Sequence, residues 1–302
     1  MIQITSEKNK KAFKNIFWII VILTLAMYWF DQYVYYFTDE YYLPEDSFIE
    51  ESLSNEEDFS DDYFWCSENS NVGLINIHGQ VVTYLPDSYY SEDADWSSLD
   101  VVASEDLVYY IEELEEDADI EVIIVEIDSY GGMPTASEEV MKALKRVQKP
   151  TIALIREGGA SGAYLIATGA DKIFASEMSD VGGIGITMSY LDYSQQNEQE
   201  GIIYQQLSSG KFKDSGDPDK ELTAEEKALY MRDIQIIHDA FVKDIAENRG
   251  LEIEKVERLA DGSTLLGQAA KENGLIDEIG DLYDVKEWIR KELGIEPIIC
   301  VY

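Results

Sequence analysis

Ser161 stands in a run of small residues, Gly158, Gly159, Ala160, Ser161, Gly162, Ala163 and then Tyr164. Glycine and alanine on both sides let the backbone turn sharply and let a substrate approach, the local chemistry of an exposed nucleophile. The same patch would also suit a helix packed tightly on a sheet. A serine hydroxyl attacks poorly until a base takes its proton. Only two histidines are present. His78 lies in an apolar, strand-like run and His238 in the middle of a helical one, so neither is placed as a base. That leaves a lysine.

Two further segments supply what acyl transfer needs. An apolar strand from Ile120 to Ile127 runs into Asp128, Ser129, Tyr130, Gly131 and Gly132. Paired glycines after a parallel strand can point backbone N–H groups at one site. The amides of Gly131 and Gly132, with that of Gly162, would form an oxyanion hole; a plain strand-to-helix turn is the alternative. Downstream, Ser208, Ser209, Gly210, Lys211, Phe212, Lys213 and Asp214 follow an expected strand at 202–206. A lysine held there among apolar neighbours can serve as general base. In an extended segment Lys211 and Lys213 share a face, so spacing does not choose between them. Lys172 is expected to pair with its neighbour Asp171. The stretch from Ala260 to Asp277 reads as a helix closed by Gly274, architectural rather than catalytic.

The elements around these residues alternate. Strands are expected at 72–77, 80–83, 120–127, 151–155, 172–175 and 184–188. Helices are expected at 104–118, 135–147 and 161–168, and a capping box at Thr223 and Glu226 opens a long one to about Asn248. The near-continuous apolar centre of 120–127 suits a parallel sheet covered on both faces. The fold class is α/β, without internal repeats.

Composition narrows the function. The 302 residues carry 61 acidic and 23 basic side chains, a net charge of −38, with 45% hydrophobic residues. No lysine or arginine occurs between Lys14 and Lys142. Such a chain repels nucleic acid, which is excluded as a partner. Cys66 and Cys300 show no metal-ligand spacing and make no disulfide framework, though a single bridge is open to them outside the cytoplasm. Lys8, Lys10, Lys11 and Lys14 precede an uncharged apolar run from Ile16 to Phe30, and aromatic character resumes at Tyr33 to Phe37. With no small-residue cleavage site behind it, the run reads as a retained anchor. Lysines before it and none after put the amino terminus in the cytoplasm. The expected organisation is a basic tail at 1–15, a transmembrane anchor at 16–37, an acidic tether at 38–71 and a catalytic domain at 72–302.

Taken together, Gly158 to Gly162, Ser209 to Asp214 and Asp261 to Asp277 resemble, in order and spacing, the signal peptide peptidase A family of membrane-anchored serine peptidases. The resemblance covers roughly Val72 to Leu293 and implies the Clp protease/crotonase fold of stacked ββα units. It implies Ser161 as nucleophile, Lys213 as general base, and an oxyanion hole from the Gly131, Gly132 and Gly162 amides. It also implies a homo-oligomer in which serine and lysine meet across subunits, with hydrophobic peptides, such as cleaved signal peptides, as substrates. No metal or cofactor is called for. Three positions depart from the family pattern: Tyr130 replaces a proline, Gly183 replaces a serine that helps orient the lysine, and Ser263 replaces an arginine. Competing readings are a crotonase-like acyl-CoA enzyme and a catalytically silent membrane scaffold of the same fold. A membrane peptidase class linked to stomatin-like partners is a third, but its lysine sits closer to the serine.

Overall fold

Apolar residues on both faces of the central strands dictate a sheet sandwiched between helices, and that is the architecture found. The computed structural model describes residues 67, 69–85 and 100–302. The expected tail, anchor and most of the tether lie outside the described residues. Among those described, no helix is long and apolar enough to cross a membrane.

In chain order the elements begin with β1 (Val72–His78), β2 (Gln80–Val82), β3 (Val101–Ala103), α1 (Ser104–Glu116), β4 (Val122–Ser129) and α2 (Pro134–Arg146). Next come β5 (Thr151–Ala160), α3 (Gly162–Ala167), β6 (Lys172–Ala175), β7 (Asp180–Gly182), α4 (Ser194–Glu200) and α5 (Ala224–Arg249). The chain ends with α6 (Ile253–Leu259), β8 (Thr264–Leu266), α7 (Gly267–Asn273), β9 (Glu278–Ile279), α8 (Leu282–Trp288) and β10 (Ile299–Val301). The main sheet runs β10-β1-β4-β5-β6-β9, all parallel, and the far end of β5 pairs in parallel with β7. β7 in turn pairs antiparallel with β8. β2 and β3 form a second, two-stranded sheet that starts past a left-handed turn at Gly79.

Alternation along β4 explains its apolar run. Ile123, Val125 and Ile127 join the larger core with α1, α2, α3 and α5, while Val122 and Ile124 join a smaller one against Val285 of α8 and Ile289. Successive side chains of a strand point to opposite faces, so a sheet covered on both must be apolar throughout. Near the end of β10, Cys300 is disulfide-bonded; Cys66 lies outside the described residues.

Two expected strands are absent. Residues 184–188 and 202–206 pair with nothing among the described residues, and from Thr187 to Lys213 no side chain is buried. Ile184 is buried and Ile186 packs on the core, but a core face without a partner strand does not make a strand; 202–206 has no buried residue at all. The short β7 forms instead at 180–182, where β5 offers a free edge. The stretch 260–277 is likewise not one helix: β8 interrupts it, and only Gly267–Asn273 is helical before the left-handed Gly274. Lys172 meets Glu278 at 3.4 Å rather than Asp171, whose carboxylate accepts from the Thr151 amide and hydroxyl.

Candidate active site

Ser161 is the residue between β5 and α3, and its backbone sits at φ +54°, ψ −127°. Among the described residues it is the one non-glycine with positive φ. That conformation costs on the order of 1–3 kcal/mol and persists only where the surroundings impose it. Here they do. The Ser161 amide donates to Gly182 O at 2.7 Å, and its carbonyl accepts from the Leu165 amide at 3.1 Å. Tyr164, buried, donates its hydroxyl to Leu275 O at 2.7 Å and pins α3 to the segment behind it. Burial pushes that hydroxyl far above the usual tyrosine range.

Glycines bring the loop after β4 against this turn. Gly131 has φ +97°, and a Cβ on it would lie 2.6 Å from Gly162 N and 3.0 Å from Ser161 Cβ. A Cβ on Gly162 would collide with Ser137 Oγ and would lie 3.3 Å from Gly132 N. The two backbones therefore touch beside the serine, as side chains would not allow. Of the three glycine amides singled out by the sequence, that of Gly131 donates to Ser129 Oγ at 3.1 Å. Val81 holds both flanks of Gly132, donating to Gly131 O at 3.0 Å and accepting from the Met133 amide at 2.8 Å. The Gly132 amide is thereby turned to the other side. Neither it nor the Gly162 amide has an acceptor among the described residues. Two adjacent unfilled donors at the start of a helix suit an anion or a developing oxyanion.

Tyr130 lays its ring against Gly158 and points its hydroxyl toward Asp180 at 3.5 Å. The loop is thus braced from outside. Gly183 is itself left-handed, at φ +54°, and a Cβ there would lie 3.3 Å from Ser161 N.

Lys213 lies elsewhere. It is exposed, in a run of turns rather than an extended segment, with its amide donated to Gly210 O at 3.1 Å. It lines neither of the clefts that open on Ser161. Its side chain has no ion-pair or hydrogen-bond partner among the described residues. Lys211, by contrast, is bound to Glu225 at 2.5 Å and lies over the Phe212 ring. The histidines stay apart from the serine's chemistry. His78 rims the wider cleft with its Nε2 3.5 Å from Glu126, and His238 faces Ala260 O.

Ser161 lines both clefts. The wider one, of about 720 Å³, includes Asp100, Asp128 and Tyr130. The narrower, of about 240 Å³, runs between α2 and α5, with Leu165, Ala240 and Phe241 among its walls. The apolar walls of the narrower cleft are not among the residues singled out by the sequence. The signal was there as apolar residues at helical spacing, 236, 237, 240 and 241, but such a stripe reads as ordinary core. Among the described residues, no group of side chains could hold a metal ion.

A strained serine, open amides and a cleft at its side are the parts of a hydrolase that works through an acyl-enzyme, and the relatives of the chain agree with that class. Residues 143–296 match the model of Peptidase family S49. "Putative protease MJ0651" of Methanocaldococcus jannaschii is 32% identical over 77% of this chain and 76% of its own length. "Putative signal peptide peptidase SppA" of Enterococcus faecium is 33% identical over 60% of this chain and 54% of its own. The chloroplastic serine protease SPPA of Arabidopsis thaliana is 29% identical over 60% of this chain, which spans 27% of that protein. The chain belongs to peptidase family S49 and is a serine-type peptidase.

Proposed function

We propose that the protein is a membrane-bound endopeptidase that uses a Ser161–Lys213 dyad to degrade hydrophobic peptides, such as cleaved signal peptides. The observation that carries this reading is the strained Ser161 turn, set beside the two amides without acceptors. Ser161 Oγ attacks the scissile carbonyl carbon and its proton passes to Lys213 Nζ. The carbonyl oxygen, now negative, sits between the Gly132 and Gly162 amides, with Gly131 shaping the approach. Collapse expels the amine, which takes the proton from Lys213, and leaves an acyl-Ser161. Water then repeats the sequence and frees the acid.

Among the described residues no contact joins Lys213 to Ser161, and in this reading a second copy completes the dyad. The segment carrying Lys213 favours this. Leu191, Ile203 and Leu207 are 66%, 77% and 95% exposed, an apolar surface that association would cover. The way short strands turn off the ends of β1, β4 and β5 fits the stacked ββα units of the Clp protease/crotonase fold. The charged tail and apolar run at 1–37 would hold the catalytic domain outside the cytoplasm and near the bilayer. An acyl-CoA substrate is disfavoured by the carboxylates of Asp100, Asp128 and Asp244 in the clefts, which would repel its phosphates.

The test is a serine-directed covalent probe on the full chain. Labelling confined to Ser161 and lost in Lys213→Ala is the expected result. Labelling that survives Lys213→Ala undiminished overturns the dyad, and labelling of a different serine overturns the site.

A further inference from the structure

The narrow cleft beside Ser161 has apolar walls, but it ends on a carboxylate with no partner. Gly132, Ser161 and Gly162 line it on one side, and Pro134 opens α2 there. Glu138 is one helical turn farther along, about 5.4 Å. On the facing helix Ala240 and Asp244 stand one turn apart on the same face. The two helices run alongside in the same sense, because Lys145 of α2 meets Asn248 at 2.6 Å and Glu247 at 3.5 Å on α5. Asn248 also donates to Thr168 Oγ1 at the far end of α3, the helix that begins just after Ser161. Asp244 therefore lies on the side of the cleft away from the serine.

The basic side chains nearby do not satisfy it. Lys142 is bound to Glu138 at 2.6 Å and Lys145 is near Glu247. Asp244 makes no ion pair or hydrogen bond among the described residues. Burial first, and then the Glu138 charge, hold its carboxyl above the usual range against the pull of Lys142 and Lys243. A half-buried, unpartnered carboxylate at the end of an apolar channel matches one kind of side chain, a long methylene stem with a cationic tip. Lysine and arginine lay their stems on apolar surface and keep the charged end on a polar group.

We propose that Asp244 is a specificity determinant. A lysine or arginine on the acyl side of the scissile bond lays its stem along Leu165, Ala240 and Phe241, and sets its charge against Asp244 and the free oxygen of Glu138. This rests on the reading of Ser161 as nucleophile, and it extends the substrate class from purely apolar peptides to apolar peptides cut after a basic residue.

The experiment compares two fluorogenic peptides that differ only at the residue before the cleaved bond, lysine in one and norleucine in the other. Norleucine keeps the stem and removes the charge. The full-length protein in detergent is expected to give a kcat/KM ratio of lysine to norleucine of about ten, the size of one charge-assisted contact. Asp244→Asn should lower that ratio about tenfold and Asp244→Glu should recover part of it. Thermal melting checks that each variant folds, and Glu138→Gln, with a smaller loss of the same ratio, serves if Asp244→Asn does not. Norleucine cut as well as lysine by the native protein, or a ratio unmoved by the folded variants, overturns the proposal and leaves the peptidase reading standing. Failure to cut either peptide, with no probe labelling at Ser161, overturns the peptidase reading and this one with it.

Discussion

From Thr151 to Ala170 the chain is buried except at Arg156, Glu157 and the half-buried Ser161, whereas from Thr187 to Lys213 not one side chain is buried. The first stretch places Ser161 between a strand in the middle of the sheet and a helix under it. The second carries Lys213 and is held by its own short-range bonds, Tyr204 to Asp214 at 2.9 Å and the Tyr193 amide to Pro218 O at 2.7 Å. It is tied to the rest at the start of α5, through Lys211–Glu225 and Lys220–Glu226. The contrast separates two tasks. The serine and the amides proposed as oxyanion donors need fixed geometry before substrate arrives, and one chain supplies it. The segment carrying Lys213 exposes apolar surface that a single chain leaves uncovered, and the proposed dyad needs a contact there to place the lysine.

The largest effect should come from breaking the buried side. Ser161→Ala removes the group that forms the acyl-enzyme, and turnover should fall by on the order of 10⁴-fold or more. The methyl fits the same niche, so the melting temperature should stay within a few degrees. Turnover near the native value would remove Ser161 from the mechanism.

Next in size is the exposed side. Lys213→Ala should lower kcat by roughly 10²–10⁴-fold, the range for a general base, while Lys211→Ala should change it by less than about fivefold. Lys211 already has Glu225, and its loss costs only an exposed ion pair. Assaying both variants on one hydrophobic peptide decides the matter, and the opposite ranking would reassign the base. Mixing Ser161→Ala with Lys213→Ala sharpens the comparison further. Mixed oligomers should regain activity if one copy lends its lysine to another, and should stay dead if each chain completes its own site.

The oxyanion donors should show a smaller loss. Gly162→Ala drives a Cβ into Ser137 Oγ and shifts the amide from its place. A cost of about 10²–10³-fold in kcat with KM little changed is the signature of a lost oxyanion donor. A variant that raises KM alone would mark Gly162 as packing only.

The same division governs what could be read from the sequence. Over much of the buried scaffold, pattern and structure agree. The apolar run at 120–127 is β4 with a shift of two residues, the Thr223–Glu226 capping box opens α5, and Gly274 closes α7 in the left-handed region. Ser161 and its glycines were legible because strain and close approach leave few residue types possible. At 184–188 and 202–206 apolar residues promised strands, and none formed. Apolar content records that a segment wants cover, but not that a partner strand stands beside it. Nor does it record that Gly131's amide turns inward to Ser129 while Gly132's turns outward, because that depends on where Val81 sits in three dimensions.

The smallest effect tests the scaffold at the two ends of α5 by pH. At its carboxyl end Arg249, almost fully buried, grips Asp277 through two bonds of 2.9 and 3.1 Å. Burial alone would raise the Asp277 pKa, but the hydrogen bonds and charge of Arg249, with the Ile173 amide, outweigh it and leave it below the usual range. At the amino end Glu226 is held down to about 2, first by Lys220 and then by Thr223. Both carboxyls are depressed in the folded protein, so both contribute stability that is complete above the unfolded carboxylate range near pH 4. That contribution fades as pH falls through their folded values. Melting curves from pH 7 down to pH 2.5 should show the native protein losing stability only below about pH 4 from these two groups. Asp277→Asn should cost about 2 kcal/mol at pH 7 by leaving Arg249 buried with a weaker partner, a drop of roughly 4–8 °C. The gap to the native protein should then narrow as the pH is lowered, because protonation takes the native Asp277 to the same uncharged state. Glu226→Gln should show the same narrowing, with its gap closing as the pH approaches about 2. A constant gap across the whole range would mean that the two carboxylates stabilise α5 by packing and not by charge.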